Sequence, residues 1–284
     1  AGVQTADRFA VNVASTDQLA FTQARSTDTP TNASGYSFKY DTTTAETTID
    51  ANEYVNVNWK GLEGQDIQYW NWGTANALSL TLSFWVKSNV TGTYAVNAYN
   101  PDANRVINKT YTISAANTWE KKTISIPGDT SGTINNDNGK GFELYFHLVA
   151  GSDWTSADTS SWAAYSNAGW AYGHNVNLAS STSNEWIISD IQLETGSTAT
   201  DFERRSYGEE LVRCLRYYQT EEFTGNYQFI MMTIANGTLS MQGFNPIPYP
   251  MRVDPTITHN GVGNFRLNDW SGGDATCTAL AFEW

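Results

Sequence analysis

WIISDIQLETGSTATDFERRSYGEELVRCLRYYQ, residues Trp186–Gln219, changes character several times in one run. Trp186–Leu193 reads as a strand, Thr195–Ser197 as a turn and Asp201–Arg205 as a charged linker. Ser206 with Glu209 three residues on is a capping box, in which each side chain satisfies an orphan amide donor at a helix start. Leu211, Cys214, Leu215 and Tyr218 then fall on one face of a helix, with Arg213 and Arg216 toward its C-terminal end, where positive charge suits the dipole. So short a helix needs a sheet behind it. The junction divides the chain into 1–205, β-rich throughout, and 206–284, a helix plus a smaller β unit.

Upstream, alternation with period two recurs, as expected of half-buried strands. Leu78, Leu80, Leu82, Phe84 and Val86 share one face, as do Phe142, Leu144, Phe146 and Leu148. Tyr36, Phe38 and Tyr40 repeat the pattern, and so do Val55, Val57 and Trp59. Further strands are expected over Ile67–Trp72, Thr93–Tyr99, Val106–Ile113 and Trp119–Ile126. In Ile67–Trp72, alternation sends Tyr69 with Ile67 and Asn71 to one face and Trp70 with Trp72 to the other. Many strands separated by Gly/Asn/Ser-rich turns predict an all-β fold, an antiparallel β-sandwich of the jelly-roll type.

Downstream, Tyr227–Ile234 and Thr238–Gly243 flank Asn236-Gly237, a strong hairpin signal. Met251–Thr258 reads as a strand, which Pro250 and Pro255 mark as an edge, and Thr276–Trp284 as the last.

Composition narrows the function. The chain has 284 residues, 16% of them charged, and a net charge of −13. Phosphate-backbone binding needs a basic surface, so nucleic acid is the wrong partner. Anionic lipid is excluded on the same ground. No run approaches the roughly 18 apolar residues of a membrane span, and AGVQTADRF has neither the basic nor the apolar region of a signal peptide. A first residue Ala1 is what a processed product or a cut-out piece would show. Cys214 and Cys277 are too few for a disulfide framework and read as small buried residues, a helix-to-sheet disulfide being the alternative.

Catalytic patterns are missing. His147, His174 and His259 show no metal-ligand spacing, and no nucleophile elbow, P-loop or dinucleotide fingerprint occurs. Asn135–Gly139 carries calcium-like side chains, but the same residues cluster in turns for local reasons. A glycosidase needs only two acids about 5–10 Å apart. Asp153 with Asp158, then Glu143 and Glu185, are the acids to test. The reading is non-enzymatic, with no cofactor and no metal.

The positive signal is aromatic. Gly151–Glu185 interrupts the strand rhythm and carries Trp154, Trp162, Tyr165, Trp170 and Tyr172 among Ser, Asn, Gly and Ala. So long a loop in a compact domain is usually functional or an interface. Flat rings beside amide and carboxylate groups suit sugar binding. The same residues also suit a subunit interface or simple stapling of the loop to the sandwich. All three readings stay open, with stapling first.

GLEGQDIQYWNWGTANALSLTLSFWVKSNVTGTY (Gly61–Tyr94), NTWEKKTISIPGDTSGT (Asn117–Thr133) and the Trp186–Gln219 junction occur in this order in a recurrent module. They resemble the carbohydrate-binding-like jelly roll of tail fibre and other receptor-facing structural proteins of tailed bacteriophages. The resemblance covers roughly residues 5–219, and Pro250-Met251-Arg252 matches the small β-rich piece that follows in such proteins. It implies a virion structural protein, assembled in the bacterial cytoplasm and displayed on the outside of the particle. Its expected partners are copies of itself (a homotrimer favoured), other virion proteins and host surface polysaccharide. The jelly roll is also similar to carbohydrate-binding modules of secreted glycanases, which often hold a structural calcium. Asp190 is the nearest counterpart of a ligand, but Ser189 stands where those modules have a second Asp, so no metal is expected. Two alternatives to a glycan-binding fibre follow: a capsid decoration or fibre-scaffold protein, and a module of a secreted glycanase.

Overall fold

The computed structural model describes residues 3–6, 9–14, 19–31, 33, 35–216, 232–235, 241–244, 266–268 and 274–276. It divides into two compact units, Ala1–Arg204 and Arg205–Trp284.

Alternation builds the first unit. In β6 (Leu80–Ser88) Leu80, Leu82, Phe84 and Val86 are buried, and in β10 (Lys140–Ala150) Phe142, Leu144, Phe146 and Leu148 are buried. Each set is one face of a pleated strand, and the two faces meet in a common core. β10 lies inside a seven-stranded sheet. Its neighbours on one side are β5 (Tyr54–Glu63), β2 (Phe9–Ala14) and β1 (Val3–Ala6). On the other side are β7 (Gly92–Asn100), β8 (Arg105–Ile113) and the two-residue β11 (Ala163–Ala164). β6 lies in a five-stranded sheet, between β9 (Glu120–Ile126) and β12 (Glu185–Thr195), with β4 (Ser37–Thr44) and β3 (Ala20–Ser26) beyond. Every registered pairing is antiparallel. The expected all-β sandwich is therefore the fold. Trp186, Tyr40, Tyr94, Phe84, Phe142 and Phe146 are its largest fully buried side chains.

Three expectations need correction. Ile67–Trp72 is not a strand: Gly64–Trp70 forms a 3-10 helix, closed by Asn71 at φ 55°. Its buried residues, Gly64, Ile67 and Trp70, recur every third position, and Tyr69 is 60% exposed. The helix is held from outside, because Gln65 N–H donates to the Asp137 carbonyl and Gln68 Nε2 to those of Ile134 and Asn135. Second, Leu78 precedes β6 and is exposed. Third, Tyr36 precedes β4 and is exposed while Tyr40 is buried. A strand's inward pattern starts only where ladder pairing starts.

Ser206 caps α2 (Tyr207–Leu215) with both halves of the capping box formed. Leu211 on it is exposed, Cys214 and Leu215 are half-buried, and Tyr218 lies outside the described residues. β13 (Met232–Ala235) and β14 (Met241–Phe244) pair antiparallel across the expected hairpin, whose Asn236-Gly237 turn lies outside the described residues. β15 (Arg266–Asn268) pairs with β16 (Asp274–Thr276). Met251–Thr258, His259, Cys277 and the remainder of the last expected strand also lie outside them.

Candidate functional site: the covered face of the seven-stranded sheet

Strand alternation gives the seven-stranded sheet a second, outward face. On β10 it consists of Glu143, Tyr145 and His147, on β7 of Asn97 and Tyr99, and on β5 of Tyr54, Asn56 and Asn58. Register aligns them across strands: Asn12 opposite Asn56, Asn56 opposite His147, Asn58 opposite Tyr145, Tyr145 opposite Asn97, and Asn97 opposite Asn108. Asn56, Asn58, Asn97, Asn108 and His147 are all at most 2% exposed. Such polar burial requires partners, and the loop after β10 supplies many of them. Asn97 Nδ2 donates to the Trp170 carbonyl at 2.7 Å. Asn108 Nδ2 donates to the Gly169 carbonyl at 2.7 Å and to Thr159 Oγ1 at 2.8 Å. Ala95 N–H donates to His174 Nδ1. The loop thus lies on this face, and it contains a short helix α1 (Ser152–Thr155), β11, and 3-10 turns at Asn167–Gly169 and Leu178–Ser180.

The five aromatic residues singled out in the loop have different surroundings. Trp170 is 6% exposed, its ring caged by Tyr145 at 4.6 Å, Tyr165 at 5.0 Å and Tyr99 at 5.4 Å between centroids. Trp162 packs edge-on against Trp72 at 5.0 Å, and its Nε1 donates to the Pro127 carbonyl. Its own carbonyl accepts from Arg105, whose Nε is paired at 2.8 Å with the buried Asp129. Trp154 stands edge-on to Tyr54 at 4.5 Å. Tyr165 is half-buried and donates to Asn167 Oδ1, and Tyr172 is half-buried. Trp154, Tyr165 and Trp170 gather with strand residues on the outward face, whereas Trp162 packs against Trp72 and the core cluster.

The strand residues Tyr54, Tyr99 and Tyr145 join them as half-buried rings. Alternation holds the signal for them, since each is flanked by buried residues, Tyr145 by Leu144 and Phe146, Tyr99 by Ala98 and Asn100, and Tyr54 by Glu53 and Val55. Tyr145 Oη donates to Glu143 Oε2 at 3.1 Å, and Lys140 Nζ to Glu143 Oε1 at 2.8 Å. Burial, reinforced by the Glu143 charge, pushes the Tyr145 hydroxyl far above its ordinary pKa and that of Tyr99 upward. Both phenols stay neutral donors. His174 within the loop is pushed down to about 4 by burial, and His147 beneath it well below the ordinary value by burial and then by His174.

The candidate acids have different surroundings. Glu143 lies on this face, whereas Glu185 pairs with Lys39 at 2.6 Å on the outward face of the other sheet. Asp158 accepts from Ser160 N–H, which holds its carboxyl below the usual range. In Asn135–Gly139, Asp137 Oδ1 accepts from Gly139 N–H at 2.7 Å, the local turn role of such residues. Among the described residues, no three His, Cys, Asp or Glu side chains are grouped to hold a metal ion. No helix among them is long and apolar enough to cross a membrane.

No family model matches the chain. No curated protein sequence matches it. Several solved structures are similar in fold. One is the enzymatically active domain of tailspike protein 4 of bacteriophage CBA120, at 13% identity and TM-score 0.36, the match covering 67% of this chain and 20% of that one. The chain therefore spans about a fifth of that tailspike domain's length. Another is the family 11 carbohydrate-binding module from Clostridium thermocellum, in complex with a β-1,3-1,4-mixed-linked tetrasaccharide, at 12% identity and TM-score 0.37, covering 70% and 95%. A third comprises the CBM22-1–GH10 modules of endo-1,4-β-D-xylanase 10B from the same bacterium, complexed with xylohexaose, at 10% identity and TM-score 0.30, covering 73% and 30%.

Proposed function

We propose that the chain is a non-enzymatic glycan-binding module, displayed on an external fibre or appendage of a tailed phage, with 206–284 as a separate β unit. The observation that carries the glycan reading is the group of half-buried rings on the seven-stranded sheet and on the loop that lies over it. Tyr54, Tyr99, Tyr145, Tyr165 and Trp154 stand beside Glu143 and the Asn rows. Apolar ring surface with a few fixed polar groups is what a neutral sugar requires. The sequence resemblance supports the virion setting. Weak single sites become effective when several copies act together, which fits a homotrimer contacting host polysaccharide. A glycan array probed with the intact protein tests this. Tyr54→Ala with Tyr165→Ala should lower retention at least tenfold while the unfolding midpoint shows a folded protein. Unchanged retention by the folded variant would remove this face from the reading.

A second reading, assembly through α2, is favoured by Tyr207, Leu211 and Val212, which are 82%, 42% and 47% exposed. Light scattering of Leu211→Glu decides it: assembly requires a smaller oligomer, and the glycan reading leaves the size unchanged.

A further inference from the structure

On the covered face, three buried donors lack an acceptor, while Asn97 Oδ1 and Asn108 Oδ1 are buried acceptors without a donor. Trp170 fixes the roles from the loop side, because its carbonyl can only accept, so the atom of Asn97 that meets it at 2.7 Å is the Nδ2 donor. The same Nδ2 lies 3.2 Å from His147 Nε2, which must therefore accept, placing the proton of the neutral imidazole on Nδ1. That Nδ1–H is buried and no described residue accepts from it. Opposite His147 in register is Asn56. Its Oδ1 already accepts from Asn12 Nδ2 at 3.1 Å, and its Nδ2 is buried without an acceptor. Residues directly opposite on one sheet face have Cβ atoms about 5 Å apart. A third buried donor without an acceptor, Trp154 Nε1, belongs to the ring packed on Tyr54, the neighbouring outward position of β5. His147 and Asn56 are 0% and 1% exposed.

We propose that His147, Asn56 and Trp154 form a binding site for one uncharged hydroxyl oxygen, either a water molecule or a sugar hydroxyl. Three neutral donors with no acceptor among them need a lone-pair partner, since a buried unsatisfied donor costs about 1–3 kcal/mol. An ion is the poorer occupant. All three groups are neutral, the chain carries −13 overall, and a buried anion without a counter-charge costs far more than a dipole. One bound oxygen would tie β5, β10 and the loop together. The site does not depend on the glycan reading, because water alone satisfies it.

NMR of the intact protein, selectively labelled with 15N-His and 15N-Trp, tests the site. Long-range 15N–1H correlation should show His147 as the Nδ1–H tautomer. Its Nδ1–H and the Trp154 Nε1–H should give cross-peaks to bound water. If a sugar is the source, saturating cellohexaose replaces those cross-peaks with sugar-proton ones; persistence of the water peaks assigns the site to water. Asn56→Asp supplies a protein acceptor, so the water cross-peak at His147 should disappear and the His147 pKa should rise by more than one unit. An Nε2–H tautomer, no oxygen partner at either proton, or protection that vanishes when chloride is removed overturns the proposal. So does an unaltered water cross-peak in folded Asn56→Asp.

Discussion

The outward faces of the two sheets treat polar residues in opposite ways. On the seven-stranded sheet the loop lies over Asn97, Asn108 and His147, and the Nδ2 donors of both asparagines meet fixed carbonyls, that of Asn97 also a ring nitrogen. On the five-stranded sheet Lys39 pairs with Asp41 and Glu185, and Lys87 pairs with Asp28, in partly exposed bridges. Covered groups must have specific partners, because water cannot substitute for them. Solvated ion pairs are replaceable. The covered face therefore carries structural information in its hydrogen bonds, whereas the bare face carries mainly charge.

The sharpest way to break this contrast is Trp170→Ala. Emptying the Tyr99–Tyr145–Tyr165 cage should cost about 3–5 kcal/mol, read as a lower urea midpoint at unchanged slope. Trp85→Ala, on the half-exposed face of β6, should cost less than half of that. Equal losses would mean that the loop adds nothing. Acid should separate the faces next. His147 and His174 titrate near 6.5 when unfolded and far lower when folded, so the unfolded chain takes up protons that the folded chain refuses. Stability is therefore full above about pH 6.5 and falls as pH drops toward 4, by about 1.4 kcal/mol per unit for each histidine. The bare face responds lower down: its Lys87 and Trp119 partners leave Asp28 below the ordinary carboxylate value despite partial burial, so those bonds persist until more acid conditions. A urea midpoint that stays constant from pH 7 to about 4.5 would contradict the histidine assignment.

Smaller effects sharpen the comparison. Asn108→Ala removes one of two donors to the Gly169 carbonyl, the Thr159 hydroxyl remaining, and should cost about 0.5–1.5 kcal/mol, with amide exchange accelerated at 157–171 ahead of the sandwich core. Lys39→Ala should cost less than about 1 kcal/mol, a difference that fades in molar salt.

The two faces also differ in how legible they are from sequence. The core alternation of β6 and β10 is readable because it is long and regular, and the Ser206–Glu209 box is readable because capping is local. Ile67–Trp72 misleads because six residues cannot distinguish period two from period three when Ile67, Trp70 and Trp72 are all apolar. Strands β1–β3 are short and interrupted by polar residues, so periodicity does not single them out. The covered face is harder still. The aromatic loop is visible as composition, but Trp170 acquires its role from Tyr99 and Tyr145, contributed by different strands. The tautomer of His147 depends on a carbonyl 23 positions away, at Trp170. Composition can nominate such residues; only pairing register brings them together.

The bulge in β12 has a consequence for the joint between the units. Asp190, at φ 48°, interrupts the ladder between Ser189 and Gln192, so the strand changes phase: even-numbered Trp186 and Ile188 point inward before it, odd-numbered Leu193 after it. This half-step turns Gln192 and Glu194 outward, where they clasp the chain that follows. Gln192 Oε1 accepts from Glu203 N–H, its Nε2 donates to the Asp201 carbonyl, and Glu194 takes both the N–H and the hydroxyl of Thr200. The clasp ends at Glu203, one residue before the first unit does. Deleting Asp190 would restore the original phase and open the clasp, like a frameshift written in side-chain direction. Cutting after Arg204 would leave it closed, which makes that bond the natural seam for exchanging whatever follows.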